Sequence, residues 1–286
     1  MRRKSVPVME NSGKINKESC GQISGEKGIY NPAYVRRTDK SGIPVCPIMG
    51  VDIAAVNMEW LVKYITDNLC TLSGDYICVS NVHTVVTAHE DYGYRQVQNG
   101  GIMAIPDGGP LSSLGQKRGF AEMRRTAGPD LMGEIFRISA ERGYRHYFYG
   151  STEETLEKLR EELQRKYPEI QIAGMYSPPF REMTQEEDLA VTSQINEANA
   201  DFVWAGLGAP KQELWMAEHQ GKVKGLMIGV GAGFDYFAGN LKRAPEWMQK
   251  RNLEWLYRLR QEPGRLFSRY WRTNTRFLWN AWVKRR

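Results

Sequence analysis

Cysteine and histidine are both scarce in this chain of 286 residues, with four of each. Cys20, Cys46, Cys70 and Cys78 form no CxxC pair and the histidines are scattered singly, which argues against a zinc site. Also missing are a Walker phosphate loop and a DxD pair that would hold a divalent metal against a diphosphate. No Ser-His-Asp set can be picked out from chain order. The longest apolar run, Gly225 to Gly239, is short, rich in glycine and interrupted by Asp235, so no transmembrane helix is expected. The basic opening MRRKSVPVMENSG leads into no apolar segment of the secretory kind. The expectation is a protein made and kept in the cytoplasm.

What is present suits a globular protein, 41% hydrophobic and 25% charged, long enough for one large domain or two small ones. The net charge of +6 is unevenly spread. Residues 241–286 carry thirteen Lys or Arg against three Glu, a balance of +10, which leaves −4 for the other 240 residues. Five of the eight tryptophans lie in the same segment. Three regions follow: a polar, mobile N-terminal arm over 1–43, a core over 44–240, and a basic, aromatic appendage over 241–286.

Within the core, short apolar stretches alternate with segments of helical spacing. DYICVS, GIMAI, RHYFYG, EIQIAG, ADFVWAGLG and KGLMIGVGAG read as strands, while MEWLVKYITDNL and NVHTVVTAHED read as helices. Ser151 with Glu154, and Thr184 with Glu187, are capping-box signals for two further helices. The alternation predicts an α/β fold, a parallel sheet with helices on both faces. Ligands in such sheets sit beyond the carboxyl ends of the strands. Asn81, Asp107, Gly150, Gly206 with Gly208, and Gly231 with Gly233 all follow predicted strand ends, so they are expected to line one crevice. Singly, each is also an ordinary turn residue, Asp107 within PDGG above all. GVGAGF matches only part of a dinucleotide fingerprint and lies late in the chain.

The ordered series SNVHTVV, IPDGGPL, RRTAGPDLM, FYGS, GLGAPKQELW, GVGAGFDYFAG and RAPEWMQKRNLEWLYRLRQEP, followed by RY, resembles the WecG/TagA/CpsF family of glycosyltransferases, family 26. The likeness runs from about Pro47 to Tyr270. It implies a Rossmann-like α/β core and an inverting hexosyltransferase at the inner face of the bacterial membrane. Such an enzyme moves a sugar from a nucleotide donor to a polyprenyl-diphosphate-linked sugar, with no metal or other cofactor required. By position, Asp107 is the implied general base, Arg125 a partner for diphosphate, and Gln212 an active-site amide. Asn81, Ser80, Gly150, Gly206, Gly208 and Asp235 are the implied donor contacts. Val79 and Ser80 stand where the family often has threonine and proline, and DGGPL replaces the DGIG of N-acetylmannosamine enzymes, which opens the donor sugar to related hexoses. The product would serve teichoic acid, capsule or exopolysaccharide synthesis.

Residues beside these have plainer readings: Asp130 as a helix cap, Arg124 as a surface charge, Lys211 and Glu213 as solvent-facing. In the appendage, Arg258, Arg265, Arg269, Trp271, Arg272 and Trp279 are the candidates for acceptor lipid or an anionic membrane surface, with Phe277, Leu278 and Trp282 as further apolar insertion. Such a helix lies on the membrane without spanning it. A helical face packed on the core is the simpler alternative, and a nucleic-acid-binding module is the rival function, since aromatics among basic residues also suit phosphates and bases. The glycine-lined acidic cleft ahead of the tail favours the enzyme, with no nucleic acid as partner. Homo-oligomerisation stays open.

Overall fold

A computed structural model describes residues 40–251 and 253–280. The arm as far as residue 39, Trp282, and the side chains of Arg265 and Arg269 lie outside the described residues.

The chain enters through a hairpin, β1 (Val45–Ile48) and β2 (Val51–Ala54), turned by Met49 and Gly50 in the left-handed region. Then follow α1 (Met58–Leu72), β3 (Tyr76–Ser80), α2 (Val82–Glu90), α3 (Tyr92–Gly100), β4 (Met103–Pro106), α4 (Gly109–Lys117) and α5 (Gly128–Arg142). The second half contributes β5 (Arg145–Gly150), α6 (Glu153–Lys166), β6 (Gln171–Tyr176), α7 (Gln185–Glu197), β7 (Phe202–Gly206), α8 (Lys211–Glu218) and β8 (Leu226–Gly229). The short α9 (Gly233–Phe237) leads to α10 (Glu246–Lys250), α11 (Glu254–Gln261) and α12 (Pro263–Leu278).

Eight strands join in the order β1-β2-β4-β3-β8-β7-β5-β6. Every pairing is parallel except β1 with β2, so the sheet is mixed rather than wholly parallel as expected. A two-residue turn can only return a strand antiparallel, whereas each later crossover is long enough for a helix. Both faces of the central strands are covered. Ile77, Phe148 and Trp204 pack on one side with Leu61, Ile135 and Leu159. Cys78, Tyr147 and Val203 pack on the other with Val85, Leu114 and Met216. That double burial explains why these strands read as continuous apolar runs.

Two local expectations shift. Helix α6 is capped by Thr152, whose side chain accepts from the Thr155 amide, because Ser151 adopts a φ of 62° and lies outside the helix. Ile43 is buried in the core, so the packed region starts before the boundary drawn at 44. At Thr184 the capping box with Glu187 is present.

The interior also holds His146. Trp204 Nε1 donates to its Nδ1 at 3.1 Å, and its Nε2 lies 2.9 Å from Ser139 Oγ, whose own hydroxyl donates to Ile135 O. This arrangement fits the neutral ring, and burial lowers its pKa from 6.5 to about 3. The unfolded chain therefore takes up a proton below pH 6.5 that the folded one refuses until about 3, so stability falls as pH drops through that window. His146→Gln is expected to flatten the acid limb of a stability–pH profile measured by denaturant unfolding, by up to about 1.4 kcal/mol per pH unit.

Candidate active site

The strand order reverses around β3, which has β4 on one side and β8 on the other. A cavity of about 480 Å³ opens there, beyond the carboxyl ends of those strands. Asn81 follows β3, Asp107 follows β4, and Gly231 and Gly233 follow β8; Gly208 and Gln212 join them from the end of β7 and the start of α8. The second wall belongs to the basic appendage, which contributes Glu254, Trp255, Arg258, Leu266 and Tyr270.

Asp107 is pinned through its backbone. Its amide donates to Ser80 O at 2.8 Å, and its carbonyl accepts from Arg125 Nε at 2.9 Å. Its carboxylate lines the cavity and accepts no hydrogen bond from any described residue. Burial pushes that carboxyl above the ordinary value of 3.8, with Arg125 pulling it back and Glu254 adding to the rise. Immediately after it, Gly108 caps α4 without a side-chain bond and Pro110 opens the first turn. Helix α5 likewise begins at the cavity, at Gly128 and Pro129, with no side-chain cap. Two uncapped helix starts beside the same space give it a positive bias suited to an anionic ligand.

Arg125 is not a free cation. Its guanidinium contacts Asp130 at 3.3 Å and Glu254 more closely still. Arg243 contacts the same two acids, at 2.9 Å and 3.2 Å. The four charges form a closed ring that ties the appendage to the core. Asp130 therefore does not cap α5, as expected from sequence; Ala127 holds that position and Asp130 faces the two arginines.

Helix α12 completes the attachment. Leu266, Thr273 and Phe277 are buried along one stripe, and Phe277 packs in the same cluster as Val85 and Val86 of α2. Phe277 is thus a docking residue rather than a membrane-inserting one. Arg276 reinforces the contact through an ion pair with Glu90. Phe267, Trp271, Leu278 and Trp279 remain exposed, as does Arg272. Arg258, expected at the lipid, lines the cavity, and its Nε has no hydrogen-bond partner among the described residues.

Residues 46–286 match the profile of the glycosyl transferase WecG/TagA/CpsF family. The chain belongs to that family. It is 32% identical over 209 residues to an N-acetylglucosaminyldiphosphoundecaprenol N-acetyl-beta-D-mannosaminyltransferase of Bacillus subtilis (strain 168), covering 73% of this chain and 78% of that one. A protein of the same description from Staphylococcus aureus (strain NCTC 8325 / PS 47) is 28% identical over 223 residues, covering 77% and 86%.

Of the residues carried over from the WecG/TagA/CpsF resemblance, the fold gathers Asp107, Arg125, Gln212, Asn81 and Gly208 at the cavity. Others stand apart. Ser80 is fully buried and donates to Gln98 Oε1 at 2.6 Å. Gly150 and Gly206 press together: a Cβ at Gly150 would lie 2.6 Å from the Gly206 carbonyl carbon, and one at Gly206 would strike the Phe234 ring at 2.6 Å. Their role here is close strand packing. Asp235 lies within α9 and does not line the cavity; its Oδ1 accepts from Asn240 at 3.4 Å. Glu213, expected in solvent, is buried.

Sequence reasoning missed Tyr236, Gln249, Glu254 and Trp255 as cavity residues. The first follows Asp235 in FDYFAG, and the others lie in RAPEWMQKRNLEWLYRL, so their segments had been singled out but their direction had not. Burial raises the Tyr236 hydroxyl to about 12, and the Arg243 and Arg258 guanidinium groups lie 5.3 Å and 5.8 Å from its ring centre. Among the described residues, no three His, Cys, Asp or Glu side chains gather to hold a metal ion. No described helix is long and apolar enough to cross a membrane.

A carboxyl whose folded pKa is raised adds stability when protonated, below about pH 3.8, and withdraws it as pH rises through the folded value. Asp107→Asn stays neutral, so it is expected to melt above wild type at pH 7, with the gap closing as the pH is lowered towards 4; calorimetry across that range checks this. Glu254→Gln removes one acid from the ring and is expected to weaken appendage docking by about 1–3 kcal/mol. Hydrogen exchange should then speed up in residues 253–278 while the central strands stay protected.

Proposed function

We propose that this glycosyltransferase moves N-acetylmannosamine or a related hexose, with inversion, from a nucleotide-diphosphate donor, UDP-linked in the simplest case, to a polyprenyl-diphosphate-linked N-acetylglucosamine. The observation that carries the reading is the Asp107 carboxylate: it lines the cavity, holds no hydrogen bond from a described residue, and is raised above its ordinary value by burial. In a single displacement, the acceptor hydroxyl gives its proton to Asp107 as its oxygen attacks the anomeric carbon. The nucleotide diphosphate departs from the opposite face. A base raised in this way accepts the proton more readily than an exposed aspartate does.

The leaving diphosphate gathers negative charge, and the uncapped starts of α4 and α5 lie beside the same cavity. Arg258 supplies a guanidinium whose Nε is not yet engaged, and a diphosphate oxygen would satisfy it. Arg125, by contrast, supports the site from behind: one nitrogen holds the Asp107 carbonyl while the others hold Asp130 and Glu254. Gln212 offers an uncharged amide for a sugar hydroxyl, and Asn81, whose Oδ1 caps α2 by accepting from the His83 and Thr84 amides, lines the same cavity at the end of β3.

The appendage serves as both cavity wall and membrane contact. Phe267, Trp271 and Leu278 form an exposed stripe on α12, next to the buried one, with Arg272 at its side. Aromatic and basic residues in that pattern suit the interface of an anionic membrane, where a lipid-linked acceptor resides. The enzyme then works peripherally at the cytoplasmic face, and the docked stripe keeps the cavity beside the lipid surface.

The decisive experiment offers a polyprenyl-diphosphate-N-acetylglucosamine analogue and a panel of UDP and GDP sugars to the full chain, and follows the lipid product by mass. One donor is expected to give product, and Asp107→Asn is expected to lower the rate at least about a hundredfold. Unchanged turnover in that variant would remove Asp107 from the base role. Trp271→Ala with Trp279→Ala is expected to lower binding to phosphatidylglycerol vesicles by about tenfold or more. Tighter binding to a single-stranded oligonucleotide than to vesicles at equal salt would favour the nucleic-acid reading of the tail.

A further inference from the structure

Gln212 and Glu213 are neighbours at the start of α8, yet only Gln212 lines the cavity. Glu213 is fully buried and forms no ion pair among the described residues. Its two oxygens are occupied by neutral donors: Tyr94 Oη reaches Oε2 at 3.1 Å, and Gln212 Nε2 reaches Oε1 at 2.8 Å. Behind Tyr94 the chain continues. Gln98 Nε2 donates to Tyr94 Oη at 2.9 Å, and Gln98 Oε1 accepts from Ser80 Oγ at 2.6 Å.

The direction of these bonds is determined by what each group can do. Because Tyr94 Oη already accepts from Gln98, its one proton is committed to Glu213. Ser80, Gln98 and Tyr94 therefore all send their hydrogens towards Glu213 from one side, and Gln212 does so from the other. Glu213 is the common acceptor. With Nε2 held there, the Gln212 amide has a single orientation, since a flipped amide would set oxygen against carboxylate oxygen. Its Oε1 is left to accept from the Gly208 amide at 3.2 Å, on a loop that lines the cavity. The same oxygen faces Gly231, where a Cβ would come within 3.4 Å.

We propose that Glu213 is a positioning residue for sugar transfer: it orients the Gln212 amide so that its carbonyl oxygen anchors the Gly208 loop and its side chain is presented in one fixed way to the substrate. The role in transfer rests on the glycosyltransferase reading; the amide orientation does not. Burial raises the Glu213 carboxyl, and the bonds from Gln212 and Tyr94 oppose that rise. An acid placed so deep without a cation is costly to keep, and its donors give it a purpose beyond packing.

Two variants of the full chain separate positioning from plain structural support. Glu213→Gln keeps the shape but offers one oxygen; Tyr94, which already accepts from Gln98, keeps that oxygen for its proton, so the new NH2 turns towards Gln212 and the Gln212 amide loses its fixed orientation. Hydrogen exchange at the Gly208 amide, read without substrate, should accelerate by about tenfold or more while the amides of β3, β7 and β8 stay unchanged. Transfer should fall by about tenfold in kcat/KM, the worth of one such hydrogen bond. Tyr94→Phe removes the other donor and leaves the bond from Gln212 in place. It should lower the melting temperature yet hold Gly208 exchange and transfer within about twofold to threefold. Should Glu213→Gln not fold, Glu213→Asp, too short to meet both donors, supplies the same contrast. The proposal is overturned if Gly208 exchange and transfer are both unchanged in the Glu213 variant. It is equally overturned if the two variants lose transfer in proportion to their loss of stability. If wild type transfers no sugar from any donor, the exchange measurement still decides the orientation of Gln212, and the transfer reading fails separately.

Discussion

Four charges in a closed ring, Arg125, Asp130, Arg243 and Glu254, hold the two walls of the cavity together. Signs alternate around the ring, and each guanidinium meets both carboxylates. Two members come from the core and two from the appendage. Partial burial strengthens these attractions relative to open solvent, and removal of any one member would leave two like charges facing each other with less to separate them. The buried stripe of α12 adds apolar contact to the same attachment, with Phe277 alone worth about 1.5–3 kcal/mol on an area basis. Without this attachment the strand ends would open to solvent, and the cavity would lose Glu254, Arg258 and Tyr270.

Docking and the placing of Asp107 share one arginine. Arg125 closes the charge ring, and through its Nε it also holds the backbone of Asp107. The field around the Asp107 carboxyl therefore depends on whether the appendage is in place, since Glu254 raises that carboxyl and Arg258 lowers it. The helix that packs on α2 also carries the exposed stripe of Phe267, Trp271 and Leu278, so one element bears both the docking face and an apolar surface. The docking of the appendage and the surroundings of Asp107 are coupled in this way through contacts that are short and named rather than through the fold at large.

Much of the frame was legible in the chain itself. Alternating apolar runs and helical spacings predicted the α/β sheet, and Asn81, Asp107, Gly208, Gly231 and Gly233 after four of the strands marked where the cavity lies. The failures have physical causes. Gly150 and Gly206 carry the same local signal as Gly208, but a glycine that lets a ligand approach and one that lets two strands approach are identical in sequence. Ser80 and Glu213 read as available polar groups because a hydrogen-bond chain to Tyr94 and Gln98 requires α3 and α8 to meet, and nothing local announces that meeting. Asp130 sat at a plausible cap position, yet two arginines, one of them more than a hundred residues away, claimed its carboxylate.

By itself the sequence determined the order of strands and helices, the position of Asp107 at a strand end, the basic and aromatic character of the tail, and the likeness to the WecG/TagA/CpsF family. These depend on periodicity, turn chemistry and short-range pattern, which act between near neighbours in the chain. Tertiary structure alone decided which glycines face the cavity, that Arg125 is paired rather than free, that Phe277 points inward while Trp271 points outward, and that a buried acid directs the Gln212 amide. Each of these turns on contacts between segments far apart in the chain, and a side chain's partner there is chosen by packing geometry, which no local pattern encodes.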